Sequence, residues 1–192
     1  MDTTMADPGI TTGVPIAAGV VVDPSLTSGK KKMKAMVAVD DSDASLYALK
    51  WTVDHFFGRR GGGGGGLTRD SGDAREGTIV VLHVQQSIQG QFYQIGSVEA
   101  VSKLLGEKSA KIIARAVEVC SGSSATVESM VVEGEAKEMI CTVAEKIHPD
   151  MAVVGSRGLG KIKRAFLGSV SDYCAHHLDC PVLIVKPRAQ VI

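Results

Sequence analysis

The chain has 192 residues, 44% of them hydrophobic, with Lys+Arg and Asp+Glu both at 21 and a formal net charge of zero. That length suits one domain with decorations, and that hydrophobic share suffices for a packed core. Balanced charge argues against a generic nucleic-acid or membrane-surface binder, which carries a basic surplus, and no stretch reaches the length of a transmembrane helix.

In chain order, residues 1–32 are rich in Gly, Pro, Thr and Ser and end in Gly29-Lys30-Lys31-Lys32, so they read as a disordered extension with a solvated lysine tail. Their apolar piece, 14–22, is short and follows Asp2 and Asp7, where a secretory signal would carry positive charge. The folded domain is expected over 33–188. A short apolar run at 34–40 (KAMVAVD) predicts the first strand. Leu46, Leu49, Trp51, Val53, Phe56 and Phe57 predict a helix over 43–57, with Ser42 or Asp43 as its cap. Residues 58–77 hold six consecutive glycines, Gly61 to Gly66, and read as a flexible surface insertion. They are no phosphate loop, because no strand precedes them and no helix follows closely.

The alternation then continues. TIVVLHV at 78–84 predicts a strand, 98–120 a long helix, 125–132 a strand and 136–147 a helix. Residues 151–154 predict a strand, 169–177 a helix and 181–186 (PVLIVK) a last strand. Four of the five strands are near-continuous apolar runs, the mark of strands covered on both faces. Strand–helix alternation of this kind predicts an α/β fold, a doubly wound parallel sheet with right-handed crossovers. Ligands of such sheets sit outside the carboxyl ends of the strands, where the strand order reverses. A reversal beside the first strand would bring Asp40 next to Gly155.

The glycine-punctuated stretch Val153-Val154-Gly155-Ser156-Arg157-Gly158-Leu159-Gly160, followed by Gly168-Ser169 at a helix start, is the strongest chemical signal. Glycines at a strand exit admit backbone N–H groups to a ligand without an intervening Cβ. A helix start adds unpaired N–H donors and a positive dipole end, which together make an anion cradle suited to phosphate. Gly160-Lys161 completes seven positions of a P-loop, but Ile162 stands where that motif needs a hydroxyl for Mg²⁺, so the match is coincidental. Arg157, Lys161, Lys163 and Arg164 put cations beside the cradle. Asp40, ending the first strand, is placed to accept hydrogen bonds from a ribose. His83, inside an apolar strand, reads as a satisfied core histidine, and no nucleophile–base set or paired carboxylates emerge from the spacing. Cys120, Cys141, Cys174 and Cys180 form no C-x-x-C pair and read as reduced thiols in a cytosolic or nuclear protein. Cys174-x-His176-His177-x-x-Cys180 fits no standard zinc spacing.

These residues resemble the universal stress protein family. Its nucleotide-binding signature, G-2x-G-9x-G-[S/T], is matched by Gly155, Gly158, Gly168 and Ser169. Val37-Ala38-Val39-Asp40-Asp41-Ser42 and Pro181-Val182-Leu183-Ile184-Val185-Lys186 agree as well, and the tail and insertion resemble the plant branch. The resemblance implies a Rossmann-like five-stranded sheet of order 3-2-1-4-5 and a homodimer through the last strand. It implies bound ATP, or ADP or AMP, with Mg²⁺ as an optional companion. By the same resemblance Asp40 contacts the ribose, Val39 and Val84 flank the adenine, and Val154 lines the base or ribose. Gly155, Gly158, Gly168, Ser169 and Val170 hold ribose and phosphates. Ala38 departs from the proline of some ATP-binding members and opens the adenine wall. The expected role is a cytoplasmic (or nuclear) stress-response regulator or sensor with at most slow ATP hydrolysis and with a signalling partner. A phosphohydrolase and a nucleotide-free interaction module of the same fold are the alternatives.

Overall fold

The computed structural model describes residues 32–58, 76–87, 98–157 and 167–187. The expected N-terminal extension up to residue 31, most of the glycine-rich insertion, Gly158 and the bases Lys161, Lys163 and Arg164 lie outside the described residues.

The elements run β1 (Met33–Val39), α1 (Asp43–Thr52, continuing as a π-helical turn Val53–Phe57), β2 (Gly77–Gln85), α2 (Val98–Cys120), β3 (Thr126–Glu133), α3 (Ala136–Ile147), β4 (Met151–Gly155), α4 (Ser169–His177) and β5 (Val182–Val185). The strands form one sheet of order β3-β2-β1-β4-β5, and every pairing is parallel. The expected helices and strands are thus present in the expected order, with strand bounds shifted by a residue or so.

Side-chain alternation along the strands explains why both faces need cover. Ala35, Val37 and Val39 of β1, with Ile79 and Val81 of β2 and Val153 of β4, pack on one side with Ala48, Leu49, Val53 and Phe57 of α1 and with Ile112 and Ala116 of α2. Met36, Leu82, Val132, Ala152 and Val154 point the other way and pack with Ile140, Val143 and Ala144 of α3 and Cys174 of α4. Each fully buried Leu, Ile, Val or Phe in these layers contributes roughly 1.5–3 kcal/mol. Truncating Leu49, which is 0% exposed, to alanine should therefore cost about 2–5 kcal/mol.

Local chemistry sets the element ends. Ser42 caps α1, its hydroxyl accepting from the N–H of Ser45 at 3.3 Å. The chain leaves the π turn through Gly58, whose φ of +57° favours glycine. Helix α3 stops at His148 in a left-handed conformation. Lys34 then ties the α3–β4 connection to β1: its Nζ donates to the Ile147 carbonyl (3.1 Å) and its backbone N–H to Asp150 Oδ2 (2.8 Å).

The two helices before β3 cover one face and the two after it the other, so the chain doubles back between β1 and β4. Their carboxyl ends diverge into opposite layers and leave a crevice.

Candidate functional site

A cavity of about 490 Å³ opens in that crevice, inside the range of roughly 300–1,000 Å³ typical of small-molecule sites. Its floor is apolar: Ala38 of β1, Leu82 and Val84 of β2, Val154 of β4, Ile140 of α3 and Val170 of α4. Its polar lining is Asp40, Ser45, Arg157, Ser169 and Ser171, with Val39, Gly155, Gly168, Ala136 and Leu167 completing the wall.

The polar parts of the lining differ in chemistry. One is Asp40, the first residue after β1. Its Oδ1 accepts from the Ser42 N–H at 3.0 Å and, through a short bond, from the Ser42 hydroxyl. Among the described residues both bonds fall on Oδ1, so Oδ2 remains an acceptor. The neighbouring Asp41 turns outward to Arg115 of α2, Oδ1 to Nη1 at 3.0 Å.

The other is the start of α4. Its cap, Gly168, has no side chain to accept from the first turn. Intrahelical bonding starts with the Asp172 N–H donating to the Gly168 carbonyl at 2.9 Å. The N–H groups of Ser169, Val170 and Ser171 therefore have no partner within the helix, and the positive end of its dipole adds to them. Arg157, exposed at the rim, supplies a cation. The α4 start is held in place from β4: the Gly168 N–H donates to the Ser156 carbonyl (2.9 Å), and the Ser156 N–H donates to the Val185 carbonyl of β5 (2.8 Å). An anion at α4, a hydroxyl-bearing group at Asp40 and a flat apolar moiety on the floor are what this lining accommodates.

Ten of the eleven site residues expected from sequence line this one cavity: Ala38, Val39, Asp40, Val84, Val154, Gly155, Arg157, Gly168, Ser169 and Val170. The eleventh, Gly158, lies outside the described residues. At two of the glycines the absent side chain also answers a packing need. A Cβ on Gly155 would meet the backbone of Ala44 and Ser45 at 3.1 Å, and one on Gly168 would meet Arg157 Cα at 3.3 Å and the Ser156 carbonyl oxygen at 3.4 Å. Both absent side chains thus make room for protein backbone. They let α1 and α4 sit close on the end of β4, and that closeness builds the cavity.

Sequence reasoning missed Leu82, Ser45, Ser171, Ala136, Ile140 and Leu167. Leu82 was within reach, because it lies two residues before Val84 and shares its face of the strand. Ala136 and Ile140 sit one turn apart at the start of α3, a helix whose contribution depends on the crossover and leaves no local signature.

His83 is 7% exposed, and its Nδ1 donates to the Val39 carbonyl at 2.9 Å, which satisfies it as a core group. Of the Cys174–Cys180 segment, Cys174 is buried while His176 and His177 are exposed. Burial pushes the Cys174 thiol up to about 12, with the adjoining Cys141 adding to the shift, and burial raises Cys120 to about 11. No group of three His, Cys, Asp or Glu side chains disposed to hold a metal occurs among the described residues.

The model of the universal stress protein family matches residues 33–186. The chain belongs to that family. The Universal stress protein A-like protein of Arabidopsis thaliana is 28% identical over 177 residues, spanning 84% of this chain and 94% of its own length. Universal stress protein YxiE of Bacillus subtilis is 27% identical over 161 residues, covering 80% of this chain and 98% of its own. Among solved structures, a universal stress protein family protein from Arabidopsis thaliana with AMP bound superposes with a TM-score of 0.56 at 26% identity, covering 82% of this chain and 93% of that one. The universal stress protein UspA from Lactobacillus plantarum, at 21% identity and a TM-score of 0.61 over 82% of this chain and 99% of its own, shares the fold. No helix among the described residues of this universal stress protein is long and apolar enough to cross a membrane.

Proposed function

We propose that this universal stress protein binds an adenine nucleotide (ATP, ADP or AMP) in the β1/β4 cavity and acts as a stress-response regulator or sensor. One observation carries the reading: a single cavity is lined by a carboxylate, an apolar floor and a helix start without a side-chain cap, the three chemistries that ribose, base and phosphate require. The AMP bound to the Arabidopsis relative supports it. Ala38, Val84 and Val154 would flank base and ribose with Val39, whose side chain packs in the α1/α2 layer, bordering them through its backbone; Asp40 would accept from the ribose hydroxyls, and Gly155, Gly168, Ser169, Val170 and Arg157 would surround the phosphates. The described lining offers one carboxylate, at the sugar end, so any Mg²⁺ would be carried by the phosphates.

Hydrolysis should be slow. Among the described lining residues the ionisable side chains are Asp40 and Arg157. The first is committed to the ribose hydroxyls in this reading and the second is a cation, so neither serves as a base for an attacking water. The outer edge of β5, with half-buried Val182, Leu183 and Ile184, supports a homodimer formed through that strand. A protein that reads nucleotide and keeps free thiols belongs in the cytoplasm or nucleus, where a signalling partner would sense its loaded state.

The test is to purify the protein natively, release any ligand with acid and quantify adenine nucleotide by chromatography. Near-stoichiometric nucleotide, or a Kd below about 1 mM by calorimetry, is expected. Absence of both sinks the reading. Turnover faster than about 1 s⁻¹ would move the protein to the enzymes.

A further inference from the structure

We infer that Ser45 is a positioning residue for the sugar, acting through Asp40; this rests on the nucleotide reading above. Ser45 lies in the first turn of α1, is 4% exposed, and lines the cavity. Its hydroxyl brackets the peptide groups of Asp40. It accepts from the Asp40 N–H at 3.1 Å and shares its own hydrogen between the carbonyls of Asp40 and Ser42, each at 3.0 Å. Asp40 follows the last residue of β1 and has no register partner in the sheet, so a side chain holds its backbone where a ladder would otherwise do so. Ser42 fixes the carboxylate from the other side by occupying Oδ1. With the backbone held by Ser45 and Oδ1 by Ser42, Oδ2 is the acceptor presented to a ligand. Ser45 is itself seated on β4: a Cβ on Gly155 would lie 3.1 Å from its backbone nitrogen. One serine thus links the sugar end of the cavity to the strand end that carries the phosphate side.

A buried serine could equally serve packing alone, and the ligand distinguishes the two roles. Only ribose hydroxyls report on Asp40, so AMP and 2′,3′-dideoxyadenosine monophosphate should be titrated calorimetrically into wild type, Ser45→Ala, Asp40→Ala and the double variant. Wild type should prefer AMP by about tenfold or more, the worth of one charge-assisted hydrogen bond. Ser45→Ala should lose about tenfold for AMP and change dideoxy-AMP by less than about twofold. Asp40→Ala should lose the preference, and adding Ser45→Ala to it should change nothing further, because the serine acts through the aspartate. Should Ser45→Ala fold poorly by circular dichroism, Ser45→Cys keeps the volume with a weaker donor and should fall between wild type and alanine. Equal weakening of both ligands, or a Ser45 effect that persists without Asp40, overturns the inference and leaves the nucleotide reading intact. Equal wild-type affinity for both ligands removes Asp40 from sugar binding, and Ser45 with it. No binding of either ligand refutes the nucleotide reading itself.

Discussion

Gly155 and Ala44 meet backbone to backbone: a Cβ on Gly155 would stand 3.1 Å from both the carbonyl carbon and the carbonyl oxygen of Ala44. Neither partner can swing aside as a flexible side chain would. Gly155→Ala should push the start of α1 off β4 and destabilise the domain by about 1–3 kcal/mol, the usual cost of overpacking. Urea unfolding of apo protein measures this directly. If the glycine served only the approach of a ligand, apo stability would be unchanged and affinity alone would fall.

This contact also shows where sequence reading reaches its limit. The parallel doubly wound sheet and its crevice were legible because apolar runs, helix periods and a glycine signature act locally or follow from crossover rules, while the strand order came from the family resemblance those residues carry. Asp40 and Gly168 could be placed at the crevice from strand and helix ends alone. The reason for Gly155 was not legible, because its neighbour Ala44 is 111 residues away (155 − 44) in sequence and comes close only through the β1/β4 pairing. Ile140 was hidden for a related cause. It is 2% exposed and counts as core, yet it also floors the cavity, and a helical period cannot separate those two roles.

The buried thiols make stability fall in alkali. Cys120 rises to about 11 and Cys174 to about 12, both through burial, from an ordinary value of 9.0. Between pH 9.0 and those values the folded state keeps its thiol protons while the unfolded state releases them. The unfolded state then binds fewer protons, so stability is flat below this window and declines through it. Each thiol contributes a slope of about 1.4 kcal/mol per pH unit. The informative quantity is the difference in slope between wild type and Cys174→Ala in urea titrations from pH 8.5 upward. Identical slopes would mean that Cys174 is not shifted.

Val84 offers a way to close the cavity without touching a polar contact. It is half-buried near the end of β2 and lines the cavity. Val84→Trp should fill the base position and cut AMP affinity by about a hundredfold or more, while its cost in stability should stay within the range of about 1–3 kcal/mol for added bulk, because Val84 lines the cavity as well as packing against the α3/α4 layer. Calorimetric titration beside thermal melting separates the two effects. Wild-type affinity in a stable Val84→Trp protein would place the nucleotide elsewhere.

At the phosphate end, charge and dipole should contribute unequally. Arg157 is exposed on the rim, where water and salt screen its attraction for an anion and the side chain loses entropy on being fixed. The N–H groups of Ser169 and Val170 are fixed by the helix before any ligand arrives, so they pay no such ordering cost. Arg157→Ala should therefore weaken AMP about three- to fivefold at about 0.01 M salt and less than about twofold at 0.15 M, while adenosine binding stays the same at both. Adenosine lacks the phosphate, so it reports any general damage to the pocket. A loss of about a hundredfold for AMP at 0.15 M salt would make the guanidinium, and not the start of α4, the principal phosphate contact.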